Sequence, residues 1–115
     1  MNRYGTMSRE FLRKAREELA AGDMVQASEK AWGAAAQAVK AAAEWRGWTH
    51  RSHAALFQVA GRVATETGDP SIRALFLIAS GLHQNFYEHR MTSEQVEYGI
   101  EQVGELLAKL EPLGQ

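Results

Sequence analysis

Apolar residues recur every three or four positions along nearly the whole chain, and this spacing predicts helices. No stretch alternates apolar and polar residues as a half-buried strand would. Each of five segments therefore has one apolar stripe for the core. The stripes are Met7, Phe11, Ala15 and Leu19; Val25, Trp32, Ala36, Val39 and Ala43; Leu56, Val59, Ala60 and Val63; Ile72, Leu75, Phe76, Ala79, Leu82 and Phe86; and Val96, Ile100, Val103, Leu107 and Leu110.

Capping residues and glycines bound these segments. Ser, Thr or Asp at a helix start accepts a backbone N–H, and Gly after the last turn accepts the left-handed conformation. The predicted segments run from about Thr6 to Ala21, from the cap Asp23 with its capping-box partner Gln26 to Gly47, from Ser52 to Thr67, from Asp69-Pro70 onward, and from Thr92 with Gln95 onward.

Short connections between these segments favour antiparallel neighbours. We predict an all-α, up-and-down antiparallel helical bundle of four main helices plus one, forming a single domain over 1–115 with its core at about 6–111. The second segment is rich in alanine, whose small side chain lets other helices come close. It is the expected central helix.

Composition excludes several classes of function. The sequence contains no cysteine, which rules out disulfides, thiol nucleophiles and Cys-ligated metals. No stretch has the ~18 apolar residues of a membrane span, and the N-terminus lacks an apolar signal region, so we expect a cytoplasmic protein without membrane contact.

Charge is distributed unevenly between the two halves of the chain. Residues 1–53 have nine Lys/Arg against six Asp/Glu, and residues 54–115 have four against eight. The basic part could contact nucleic acid, but an ordinary solvated surface is the commoner origin of such a charge pattern.

The densest polar segment ends the fourth predicted helix. It contains His83, Asn85, Tyr87, Glu88 and His89 within two turns. Helical spacing puts His83 beside Tyr87, and Asn85 beside Glu88 and His89. These groups are candidates for ligand binding or acid–base chemistry. A structural role, with His89 complementing the helix dipole, is the alternative.

The turn between the second and third segments is the other candidate. Arg46, Trp48, His50, Arg51 and His53 offer cations and an aromatic ring that could bind phosphate and a base. Capping of the two flanking helices is the competing interpretation. No carboxylate completes a metal pattern with the two histidines, and no phosphate loop or hydrolase motif occurs, so we expect no metal and no cofactor.

Three segments together resemble the HEPN superfamily, and in particular its PaREP branch. They are Gly22–Ala36, Arg46–His53 and Leu82–Glu88, which occur in the same order over about residues 8–110. The resemblance implies a helical bundle that often pairs as a homodimer. HEPN relatives include ribonuclease toxins, RNA-processing nucleases and partners of nucleotidyltransferases, so an antitoxin or nucleotidyltransferase partner is also implied.

HEPN nucleases use an Arg followed by a His near the late helix pair, and this chain departs from that pattern. His83 occupies the Arg position, and His89 follows after five residues. Imidazole lacks the permanent charge and the fork of Arg. We therefore expect a non-catalytic HEPN-like homodimer that binds a nucleotide, RNA or a protein partner. The alternatives are a metal-independent endoribonuclease of a toxin–antitoxin-like module, with His83 and His89 as acid and base, and a purely structural interaction protein.

Overall fold

Helices account for most of residues 2–114, the part of the chain described by the computed structural model. The helices are α1 (Arg3–Ala20), α2 (Met24–Arg46), α3 (His53–Thr67), α4 (Ser71–Glu88) and α5 (Ser93–Leu110), followed by a 3₁₀ turn at Glu111–Gly114. No strand occurs in this range, so the predicted all-α class with five helices is confirmed. The up-and-down antiparallel order stays a prediction.

Three helices begin where the sequence predicts. The Asp23 carboxylate accepts the N–H of Gln26 at 3.0 Å, and the Ser52 hydroxyl caps α3 in the same way. Thr92 and Gln95 form a reciprocal capping box at the start of α5. These starts are predictable because a capping side chain bonds to a backbone group only two or three residues away.

Two other helix starts differ from the prediction. Helix α1 begins at Arg3, three residues earlier than expected, because the Asn2 side chain accepts the N–H of Gly5. Helix α4 begins at Ser71, after Pro70. The Asp69 carboxylate still accepts the Ser71 N–H at 3.1 Å. The expected acidic cap is therefore present, one position further out.

Helix α2 is the centre of the molecule, as its alanine content predicts. It packs against every other helix and against the terminal 3₁₀ turn. One core cluster draws buried residues from all five helices, from Leu12 in α1 to Leu110 in α5. Nine of the residues buried in α2 are alanines, so the neighbouring helices can approach its backbone closely.

The helix ends place the two candidate segments. Gly47 ends α2 in the left-handed region, at a φ of 73°, and starts the basic turn. His89 ends α4 with a φ of 54°, the one non-glycine residue with positive φ within 2–114. None of the helices in that range has the length and apolar content needed to cross a membrane.

Candidate functional site

Trp32 brings two histidines together from distant parts of the chain. Its ring lies 5.1 Å from the His83 ring in a stacked arrangement and 5.3 Å from the His53 ring, edge to face, measured between centroids. The two imidazoles are themselves 5.0 Å apart. His53 opens α3 and His83 lies in α4, so the structure joins the basic turn to the late polar segment through a side chain of α2. We call these three residues the imidazole cluster.

Glu29 orients one imidazole of this cluster. Its carboxylate lies 3.3 Å from Nδ1 of His83, across 54 positions of sequence. Because an ionised carboxylate can only accept, Nδ1 carries the hydrogen when Glu29 is charged. The other ring nitrogen of His83 is then available as a hydrogen-bond acceptor or a base. Both side chains are partly exposed, at 23% for His83 and 30% for Glu29.

A groove of about 290 Å³ runs beside the cluster, between α1, α2 and the start of α3. Glu29, Trp32 and His53 line it, and His83 contacts all three of them at its edge. We call this the α2–α3 groove. Lys40 and Arg51 also line it, and within residues 2–114 neither has a carboxylate within 4.0 Å. Among the described residues, the two cations of the groove are therefore unpaired.

Phe11 and Gln37 also contribute to the wall of the groove. The Phe11 ring lies across Gly33, so the wall contributed by α1 is aromatic. The Oε1 atom of Gln37 is buried and has no hydrogen-bond partner in the described part of the chain. A buried acceptor of this kind is unusual in proteins.

Arg46 serves the fold rather than this groove. Its guanidinium binds the Glu66 carboxylate at 2.7 Å and donates to the backbone carbonyls of Ala42 and Leu113. The hydrogen bonds from Arg46 lower the pKa of Glu66 below its ordinary value. Arg46 thus ties the end of α2 to α3 and to the terminal turn, as the capping interpretation of this residue predicts.

Trp48 and His50 also have partners within the protein. Trp48 is covered by the guanidinium of Arg62, 3.7 Å from the ring centroid. The interpretation from sequence requires this ring face to stack on a base, and Arg62 already covers it. The Nε2 atom of His50 lies 2.9 Å from the Glu44 carboxylate, and its ring packs edge to face on Tyr4. His50 nevertheless lines the α2–α3 groove.

Asn85, expected from sequence to contact a ligand, is buried and fully engaged. Its amide donates to the Ser28 hydroxyl at 2.9 Å, and its carbonyl oxygen accepts the N–H groups of Arg90 and Met91. It is 2% exposed. The side chain holds the turn between α4 and α5 and presents no free polar atom to a ligand.

The other residues of the late polar segment lie in two separate places: Tyr87 beside the imidazole cluster, and Glu88 and His89 at the end of α4. The Tyr87 ring packs on His83 with centroids 5.3 Å apart and is 71% exposed, so it borders the imidazole cluster. Glu88 pairs with Arg90, and His89 occupies the left-handed position that ends α4. The chain leaves the helical path at His89, and the ring partners of His83 in the described residues are Trp32, His53 and Tyr87. The expected pair of His83 and His89 is thus not brought together, and His53 takes the neighbouring position instead.

Several groove residues, Lys40 and Gln37 among them, were not singled out from the sequence as site residues. The same is true of Glu29, in the second turn of α2, and of Trp32, which the apolar stripe assigns to the core. Their spacing of three residues puts both on one helix face, which is the one local signal that could have linked them. Within residues 2–114 no group of three or more His, Asp or Glu has a geometry that could bind a metal ion.

The fold and the groove define the class of protein: an all-helical domain with a polar, aromatic-lined groove on its central helix. Residues 3–107 match the model of the archaeal PaREP1/PaREP8 family, and the chain belongs to this family. It is similar to a crystal structure of a protein from Sulfolobus solfataricus, with a TM-score of 0.85 and 23% sequence identity over 95% of this chain and 97% of that one. At this identity the likeness concerns the fold alone. No curated protein matches the chain.

Proposed function

We propose that this PaREP1/PaREP8 protein is a HEPN-like binding domain that takes a nucleotide, or a nucleotide of an RNA chain, in the α2–α3 groove. One observation carries the proposal. His53 and His83 meet on Trp32 at the edge of a groove that also contains Lys40 and Arg51, for which residues 2–114 supply no carboxylate partner.

The charges of the groove favour an anion. Lys40 and Arg51 bring two positive charges to the groove and Glu29 brings one negative charge, so the lining has a net charge of +1 when its histidines are neutral. Arg and Lys bind phosphate oxygens through charge-assisted hydrogen bonds. A phosphate group is therefore the expected charged part of the ligand.

The remaining walls favour a base. Nucleobases stack on Phe, Tyr, Trp or His rings, and Phe11 and His53 present such rings to the groove. A volume of about 290 Å³ lies at the lower end of the range for small-molecule sites, which fits one nucleoside unit.

Binding can be tested by fluorescence anisotropy with a labelled mononucleotide and a labelled single-stranded RNA. We expect Lys40→Ala and Arg51→Ala to weaken binding of both probes by roughly three- to tenfold each, since each removes a charged hydrogen-bond donor. For RNA, each variant should also lower the slope of log K against log salt concentration by about 0.7.

Arg13→Ala is the matched control. It makes the same change in net charge, and Arg13 pairs with Glu10 and Glu17 on the exposed surface of α1. Helical geometry puts it about 200° around α1 from Phe11. Absence of binding at low salt, or equal losses for Arg51→Ala and Arg13→Ala, would contradict the proposal.

A second candidate function is metal-independent cleavage of RNA, favoured by the hydrogen bond between Glu29 and His83. That contact fixes one imidazole as a base, and the His53 ring beside it can serve as the acid. Cleavage should then be slowed 10²–10⁴-fold by either His53→Ala or His83→Ala, the usual range for a lost acid or base. His89→Ala is the control and should cleave normally. An RNA ladder that fresh wild-type protein leaves intact would remove this candidate.

Homodimer formation, implied by the HEPN resemblance, is a separate part of the proposal. Leu77 and Tyr98 are large apolar side chains that remain 60% and 55% exposed, and pairing could cover such surfaces. Light scattering coupled to size exclusion should give twice the 12.8 kDa of the chain. A mass equal to one chain at micromolar concentration would refute pairing.

A further inference from the structure

Two arginines outside the α2–α3 groove flank a second, larger hollow of about 620 Å³ on the surface of α3. The Arg62 guanidinium stacks on Trp48, 3.7 Å from its centroid. Arg73 reaches across from α4, and its Nη2 donates to the carbonyl of Gly61 and to the Thr65 hydroxyl. Both guanidinium groups are therefore held in place by the protein.

Each of these two guanidinium groups has N–H donors that the contacts described above do not use. Stacking engages the face of a guanidinium and leaves its N–H edge free, and the Arg73 contacts use one nitrogen only. In the described part of the chain no carboxylate lies within 4.0 Å of either one. Glu66 also lines this hollow, but Arg46 binds both of its oxygens. The hollow therefore carries an excess of two positive charges.

The hollow neighbours the α2–α3 groove across the turn between α2 and α3. A shallow depression over this turn is lined by Trp48, His50 and Arg51, and also by Glu44, whose carboxylate contacts His50. His50 and Arg51 also line the groove, and Trp48 also lines the hollow. Along the axis of α3, Arg62 lies about 14 Å beyond His53. A chain with a charge on each unit could follow this path, whereas one nucleotide could not span it.

We propose that Arg62 and Arg73 form a second phosphate site, which binds a further phosphodiester of the same strand whose nucleotide occupies the groove. This inference rests on the proposed function and narrows the ligand from a mononucleotide to a single-stranded oligonucleotide. The site recognises phosphate rather than a base, because the Trp48 ring is already covered by Arg62. Guanidinium groups that are stacked and pinned match the oxygens of a phosphate in geometry as well as charge.

The test compares a labelled mononucleotide with a labelled single-stranded RNA of about eight nucleotides, within the size range of single-strand sites. We expect wild-type protein to bind the longer probe more tightly. Arg62→Ala and Arg73→Ala should each weaken binding of the RNA roughly three- to tenfold and leave the mononucleotide unchanged. Each should reduce the salt slope for RNA by about 0.7.

Arg62→Lys separates charge from stacking, because lysine keeps the charge and loses the flat contact with Trp48. It should lie between wild type and Arg62→Ala for the RNA, and Arg13→Ala should match wild type. Thermal melting of every variant shows whether a loss of binding reflects a loss of fold; mononucleotide affinity provides the same check at the groove.

The outcomes distinguish this inference from the proposed function. If neither probe binds wild-type protein, both fail. If the mononucleotide binds and the RNA gains nothing in affinity, or if Arg62→Ala and Arg73→Ala leave RNA binding unchanged, only the second site is refuted. Inorganic phosphate is added as a competitor. If Arg73→Ala weakens phosphate binding while RNA length has no effect, the hollow takes a free anion and the path across the turn is wrong.

Discussion

Replacement of Asn85 by alanine should destabilise the protein more than its position in a polar helix end suggests. The Asn85 side chain makes three hydrogen bonds in a site that is 2% exposed. It holds Ser28 of α2 and the backbone N–H groups of Arg90 and Met91 in the α4–α5 turn. Alanine removes all three bonds: Ser28 keeps only its bond to the Met24 carbonyl, and the N–H groups of Arg90 and Met91 lose their side-chain acceptor.

The cost follows from the three lost bonds. Each contributes about 1 kcal/mol, so we expect the free energy of unfolding to fall by about 3 kcal/mol. That is a large fraction of the roughly 5–15 kcal/mol available to a single domain. The corresponding decrease in melting temperature is about 12 °C for a chain of this length.

Urea unfolding monitored by circular dichroism measures this difference. The midpoint should fall by about 2 M with an unchanged slope. Gln84→Ala, an exposed change at the preceding position of α4, should stay within about 0.5 kcal/mol of wild type. In a double-mutant cycle, Ser28→Ala should couple to Asn85→Ala by about 1 kcal/mol. A loss below about 1 kcal/mol for Asn85→Ala would refute the structural role and return this residue to the candidate ligand set.

Three further predictions concern stability. His89→Gly should raise the melting temperature by about 2 °C, because glycine adopts the φ of 54° without strain; a decrease would contradict this. Gly99→Ala should cost about 1–2 kcal/mol in urea unfolding, since its Cβ would lie 2.8 Å from the buried side chain of Leu82; a gain would show that the interface has room. The hydrogen bond from Ser71 lowers the pKa of Asp69. A carboxylate whose pKa is lowered in the folded state stabilises the protein above its unfolded pKa, and this contribution is lost as the pH falls through the folded pKa. Asp69→Asn should therefore lower the melting temperature at neutral pH, and the difference from wild type should shrink as the pH falls below the ordinary Asp value of 3.8. A difference that persists in acid would argue against it.

Local rules account for most of what could be predicted. The periodicity of the apolar stripes and the caps Asp23, Ser52 and Thr92 located the starts of all five helices to within three residues. The glycines Gly47 and Gly68 ended two of them as expected, both in the left-handed region. Each of these signals involves contacts over four residues or fewer, which is why sequence alone could place them.

The candidate site followed those rules only in part. The sequence singled out His53 and His83, but it paired His83 with His89 by proximity along the chain. It also treated Asn85 as a surface group, because a polar residue among other polar residues gives no local sign of burial. Arg62 gave no signal at all, since its significance depends on Trp48 lying beneath it.

The amino-acid sequence by itself determined the helices, their caps, the central place of the alanine-rich helix and membership of the PaREP1/PaREP8 family. Tertiary structure alone decided which polar groups face one another. Glu29, His53 and His83 converge on Trp32 only when α2, α3 and α4 are packed together. The physical reason is range: a helix is specified by interactions within one or two turns, whereas a binding groove depends on how whole helices rotate and pack against one another.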